Sequence, residues 1–168
     1  MNEVQPSLDG LVGELKTSII ILLEAHQFLA AMMILYSGID VLGALDSDGG
    51  VATRETFLGW ADEYMKAEGA HRYSSLELYS ARCGLLHCWS PTTNLTKSGA
   101  TREVIYAIDR PHFLQGPQGG EPLIIHPPWL WLTFRNGSSR FVEDVLEDDT
   151  RLKRVNKNLK GVYVESRQ

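Results

Sequence analysis

Cysteine is scarce in this chain: Cys83 and Cys88 are the only two in 168 residues. A structural zinc module needs four ligands in two clusters, and no second cluster exists, because His71, His112 and His126 are scattered. Cysteines five apart on an α-helix point about 140° away from each other. A disulfide between them is therefore not expected. Free thiols fit a reducing compartment, and the two read as core residues. Basic charge is also short, with Lys+Arg 16 against Asp+Glu 21 and a formal net charge of -5. That excludes a broad electrostatic grip on nucleic acid but leaves room for a local basic site. The chain lacks a P-loop, a GxGxxG after a strand and a GxSxG elbow. It opens on MNEVQPSLDG, which is not a basic n-region before an apolar run. Its most apolar stretch, Ser18 to Tyr36, is interrupted by Glu24, His26 and Gln27, too broken for a span of about 20 residues. The expectation is a cytoplasmic protein with no membrane association, no metal and no cofactor.

What is present is an ordinary globular mixture, 43% hydrophobic and 22% charged. The length suits a single domain over 1–168, and such a domain buries roughly two thirds of its surface. Leu11, Leu15, Ile19, Leu22, Leu29 and Met33 recur at helical spacing, predicting one long helix from Leu8 to Tyr36. Ile39 to Leu45 would continue it after a kink at Gly38. His26 on this helix reads as a core or interface histidine. Asp46 to Gly50 reads as a solvated turn, since a calcium loop would need a late Glu where Phe57 stands. Thr53 caps a second helix to about Lys66 with Phe57, Trp60, Ala61 and Tyr64 inward. Ser74 and Glu77 form a capping box for a third, which ends near Trp89 because Pro91 disfavours a helical Ser90. VIYAI and LII, joined through the Pro/Gly-rich 111–120, predict a small β-hairpin over about residues 102–125. Pro127-Pro128 favours a helix through about Leu146, although Asn136-Gly137 and WLWLTF also permit a hairpin. Trp129 and Trp131 read as core or a dimer surface. Asp148 or Asp149 then caps a final helix, and the tail VYVESRQ is expected to fray.

The stretch YSARCGLLHCW, from Tyr79 to Trp89, holds the chemistry. Histidine moves protons near neutral pH. Arginine grips phosphate oxygens or developing negative charge. Arg82 and His87 could therefore drive a ribose 2′-hydroxyl onto its neighbouring phosphate without a metal. At five residues apart an ideal α-helix aims them about 140° from each other. Either the last turn loosens before Pro91, or a two-fold axis supplies a partner's copies. The structural alternative pairs Arg82 with Asp40 or Glu24 and leaves His87 capping its own helix.

LYSARCGLLH, with its R-x4-H spacing, resembles the motif-bearing helix of the HEPN superfamily. YSGIDVLGAL resembles the first-helix segment of HEPN-like bacterial proteins, and the helix layout over about residues 11–90 is similar. The resemblance implies a mainly α, HEPN-like bundle of four to five helices that forms a homodimer. It implies a metal-independent ribonuclease with Arg82 on the scissile phosphate and His87 in proton transfer at the interface. Asp40, Tyr79 and Cys83 would support the pair. The partners implied are RNA or a nucleotide and an antitoxin or defence-system protein. The alternatives are a non-catalytic HEPN-like module that binds nucleotide, RNA or protein, and a structural helical dimer without an active site.

Overall fold

A computed structural model describes residues 7–65, 73–108 and 121–160. The chain is mainly helical in these residues. The elements are α1 (Leu8–Glu24), α2 (Phe28–Asp46), α3 (Arg54–Tyr64), α4 (Ser75–Cys83) and a π turn (Gly84–Cys88). The short α5 (Asn94–Lys97), β1 (Val104–Tyr106), β2 (Leu123–Ile125), α6 (Pro127–Glu147) and α7 (Asp149–Lys160) follow. The tail VYVESRQ, the loop 111–120, His71 and His112 lie outside the described residues.

The expected long first helix is two helices. It breaks at Ala25-His26-Gln27, where His26 takes a left-handed conformation with φ 57. Histidine is among the few non-glycine types enriched there. A continuous helix would leave two apolar stripes without a partner. Turning back instead lets Ile19 and Leu23 of α1 share a core with Ala31, Met32 and Leu35 of α2, all of them buried. His26 is thereby exposed at the turn, not a core histidine.

Helix α2 is the centre of the fold, packing on α1, α3, α6 and α7. It runs unbroken through Gly38, which makes room for the Phe134 ring instead of a kink. Among the described residues it is the one helix long and apolar enough to cross a membrane, yet more than half of it is buried inside the protein. An apolar helix enclosed on several sides is what a bundle core requires. Trp60 and Tyr64 of α3 meet Phe134 and Phe141 of α6 with ring centroids between 5.3 and 6.0 Å.

Pro127 opens α6 as its first residue, and the helix passes through Asn136-Gly137 without a turn. Trp131 is buried in the core while Trp129 stays 41% exposed. The expected hairpin is corrected: β1 and β2 pair in parallel, with Val104 opposite Leu123 and Tyr106 opposite Ile125. Residues 107–122 join the strands. That length suits a crossover of about a dozen residues or more, whereas a hairpin closes with a tight turn.

Asp46 is not part of a solvated turn. It ends α2 and accepts from Arg151 Nη2 at 2.5 Å and Arg154 Nη2 at 3.0 Å, tying α7 to the core helix. Burial alone would raise its carboxyl, but the two guanidinium groups outweigh burial and hold it below the usual value. The folded form thus favours the carboxylate. This stabilisation is complete above the unfolded value of about 3.9 and is lost as pH falls through the lower folded value. Asp46→Asn should accordingly flatten the decline in stability below about pH 5. Urea midpoints measured from pH 7 to pH 2.5 check this, and an unchanged slope contradicts it.

Candidate functional site

The capping box forms as the sequence predicts. Glu77 N–H donates to Ser74 Oγ at 3.2 Å, and Ser74 N–H donates to Glu77 Oε2 at 2.9 Å. Arg102 Nε donates to Glu77 Oε1 at 2.6 Å, so the box also anchors the chain leading into β1. Further along α4, Ser80 Oγ lies 2.7 Å from Thr93 Oγ1, pinning the loop that returns after Pro91.

At Gly84 the helix widens into a π turn. Both Trp89 N–H and Ser90 N–H bond to Gly84 O. The wide turn brings the Ser90 carbonyl over Gly84, where a Cβ would lie 2.4 Å from the Ser90 oxygen. Only glycine leaves that space. Trp89 then turns left-handed, φ 49 and ψ 42, and ends the helix where the sequence predicts.

The widened turn resolves the geometric problem of the R-x4-H spacing. In a π turn the hydrogen bond spans five residues, so residues five apart diverge less than they do along an α-helix. Arg82 Nη1 lies 2.6 Å from His87 Nε2 within one chain. The guanidinium can only donate, so Nε2 is the acceptor in this contact. Of the two carboxylates the sequence offers Arg82, Asp40 takes it: Arg82 Nε donates to Asp40 Oδ2 at 2.8 Å. The two side chains are 19% and 13% exposed. Burial pulls the Arg82 value down, but the Asp40 carboxylate more than offsets it and keeps the guanidinium firmly charged.

The supporting residues gather here too. The Tyr79 ring packs edge-on against Phe57 at 5.4 Å and lies beneath Arg54 and Arg82, at 5.8 and 6.0 Å from the two guanidinium carbons. Its phenol is raised by burial and by neighbouring Cys83, against the pull of Arg82. The thiols are not core thiols: Cys83 is half-buried and Cys88 is exposed. α4 ends at Cys83, and the rim of the turn points outward. Among the described residues no three His, Cys, Asp or Glu side chains converge on a point where a metal ion could sit.

One feature had no sequence signal. An apolar cleft of about 390 Å³ lies along the other side of the turn, lined by Ala81, Leu85, Trp89, Val104 and Tyr106 among others. Its rim leaves Trp89 67%, Ile105 45% and Leu29 39% exposed. Only the fold joins residues so far apart in the chain. No protein-family model, no curated protein and no solved structure matches this chain.

Proposed function

We propose that the chain is a HEPN-like, metal-independent ribonuclease that acts as a homodimer, with Arg82 and His87 as its reacting pair. The observation that carries the reading is the 2.6 Å contact between Arg82 Nη1 and His87 Nε2 on a rim anchored by Asp40. A phosphate entering beside Arg82 competes for the guanidinium donors as a charged, bidentate acceptor. As Nη1 turns to the phosphate, the His87 Nε2 lone pair is released. It can then take the proton of a ribose 2′-hydroxyl, which attacks the phosphorus as the bond to the 5′-oxygen breaks, and the protonated imidazole can return that proton to the leaving 5′-oxygen. Asp40 keeps its hold on Nε, so the fork pivots without leaving the site. The cluster of Trp89, Ile105 and Leu29 supports the dimer, because a contiguous apolar rim of this kind is commonly covered by a partner.

The Asp40–Arg82 ion pair favours a second reading, a non-catalytic HEPN-like module in which Arg82 is structural or holds a ligand phosphate. One experiment separates the two. Purified protein is incubated with structured RNA in chelator, and both cleavage and binding are followed. The ribonuclease reading expects products with 2′,3′-cyclic ends; retained binding with intact RNA selects the second reading.

A further inference from the structure

The apolar cleft beside the π turn runs along an unpaired strand edge. Val104, Ile105 and Tyr106 of β1 all line it. Successive side chains of a strand point to opposite faces, so a cleft against one face touches every second residue. A cleft touched by three in a row lies along the edge. None of the β2 residues Leu123–Ile125 lines it, so the edge is the one away from β2. The register agrees. Leu123 N–H donates to Glu103 O at 2.7 Å, and Ala107 N–H donates to Ile125 O at 2.9 Å. Residues 103, 105 and 107 thus turn their backbone groups toward β2, while Val104 and Tyr106 turn theirs the other way. Among the described residues, the N–H and C=O groups of Val104 and Tyr106 have no hydrogen-bond partner.

We propose that the cleft binds one extended, apolar peptide segment of a partner protein, which joins β1 as a third strand. A strand edge with free N–H and C=O groups is a template for such pairing. Main-chain bonds to Val104 and Tyr106 supply the affinity, and the cleft receives the alternate side chains. Its opposite wall is built by Ala81, Leu85 and Ser90, with Trp89 and Leu29 exposed at the rim. No charged side chain lines the cleft, so it selects uncharged peptide residues and rejects charged ones, whose burial without a partner is costly. The walls also select a single strand. The β1 of a second copy carries β2 on its other edge, and here the π turn stands where that β2 would have to lie. A second copy resting on the exposed rim leaves this edge unpaired.

The full chain, labelled with nitrogen-15, is titrated with a panel of synthetic octapeptides blocked at both ends. Each carries valine or leucine at alternate positions, with threonine or glutamine between. Amide exchange at Val104 and Tyr106 should slow about tenfold or more on binding, while Ile105, already paired to β2, should not change. N-methylation of the central peptide amides should weaken binding about tenfold or more, because it removes main-chain donors and keeps the side chains. Trp89→Ala, at an exposed position, should weaken binding about tenfold and leave the fold intact. Absence of binding at about 1 mM peptide overturns the proposal. Equal binding of the N-methylated peptides, or protection that misses Val104 and Tyr106, means apolar adsorption only and also overturns it. Protection of both amides in the free protein that fades on dilution gives the edge to a second copy, again against the proposal. No readout depends on RNA cleavage, so the peptide site and the nuclease stand or fall separately.

Discussion

His87→Ala should lower the rate of RNA cleavage by roughly 10²–10⁴-fold, the usual contribution of a positioned proton-transfer group. Its stability should stay within about 0.5 kcal/mol of the parent, since His87 is exposed. Arg82→Lys should lose activity on a similar scale. A lysine keeps the charge but presents one ammonium, and it cannot hold Asp40 through one nitrogen while another faces His87 or a phosphate. Arg82→Ala is the poorer test, because it also strands the half-buried Asp40 carboxylate. Gly84→Ala examines the geometry with every charged group retained. Its Cβ would meet the Ser90 carbonyl oxygen at 2.4 Å, and that oxygen belongs to the backbone and cannot rotate away. The π turn must then open toward α-helical spacing, which separates Arg82 from His87. Single-turnover cleavage with the four proteins decides the matter. Full activity in Gly84→Ala would mean that the contact within one chain is not what assembles the site. In that case the active pair comes from two protomers.

The legible parts of this chain are those where local chemistry is decisive. The cap at Thr53, the capping box at Ser74–Glu77, proline at the start of α6 and the stop before Pro91 each act within one turn, and each forms as read. The break at His26 was not legible, because Ala25, His26 and Gln27 carry no glycine or proline and their helical spacing is unbroken. The turn is imposed by the need to bury both apolar stripes, which is a tertiary effect. The strand pairing failed for a similar reason: three-residue strands say nothing of direction, and packing against the helices decides it. At the site, Arg82, His87 and Asp40 were all readable as candidates. Their assembly was not, because the spacing of Arg82 and His87 contradicts the α-helix that surrounds them. That contradiction was itself the signal, and the loosened last turn is its outcome.

Gly137→Ala should destabilise the protein by about 2 kcal/mol or more, even though alanine is the better helix former. In a helix interior alanine gains about 1 kcal/mol over glycine. At Gly137 the gain is outweighed, since the added Cβ would lie 2.2 Å from the Tyr64 carbonyl oxygen and 2.9 Å from its carbon. Neither atom can rotate away. The Tyr64 hydroxyl is held by Asp144 at 2.9 Å, and Arg140 donates to the Glu63 carbonyl beside it, so α3 and α6 are fastened at this crossing. Relief requires the helices to part by about 1 Å, and overpacking of this kind costs about 1–3 kcal/mol or more. The same movement loosens the Trp60, Tyr64 and Phe141 rings, whose centroids lie 5.2 to 5.9 Å apart. Gly59→Ala is the matched control. Gly59 is also helical, and an added Cβ there meets nothing within 4 Å, so the propensity gain survives and the variant should be more stable by about 0.5–1 kcal/mol. At about 2–4 °C per kcal/mol for a chain of this size, the two melting temperatures should move in opposite directions. If both rise, α3 and α6 do not touch backbone to backbone at Gly137. The aromatic cluster would then have to hold the crossing alone.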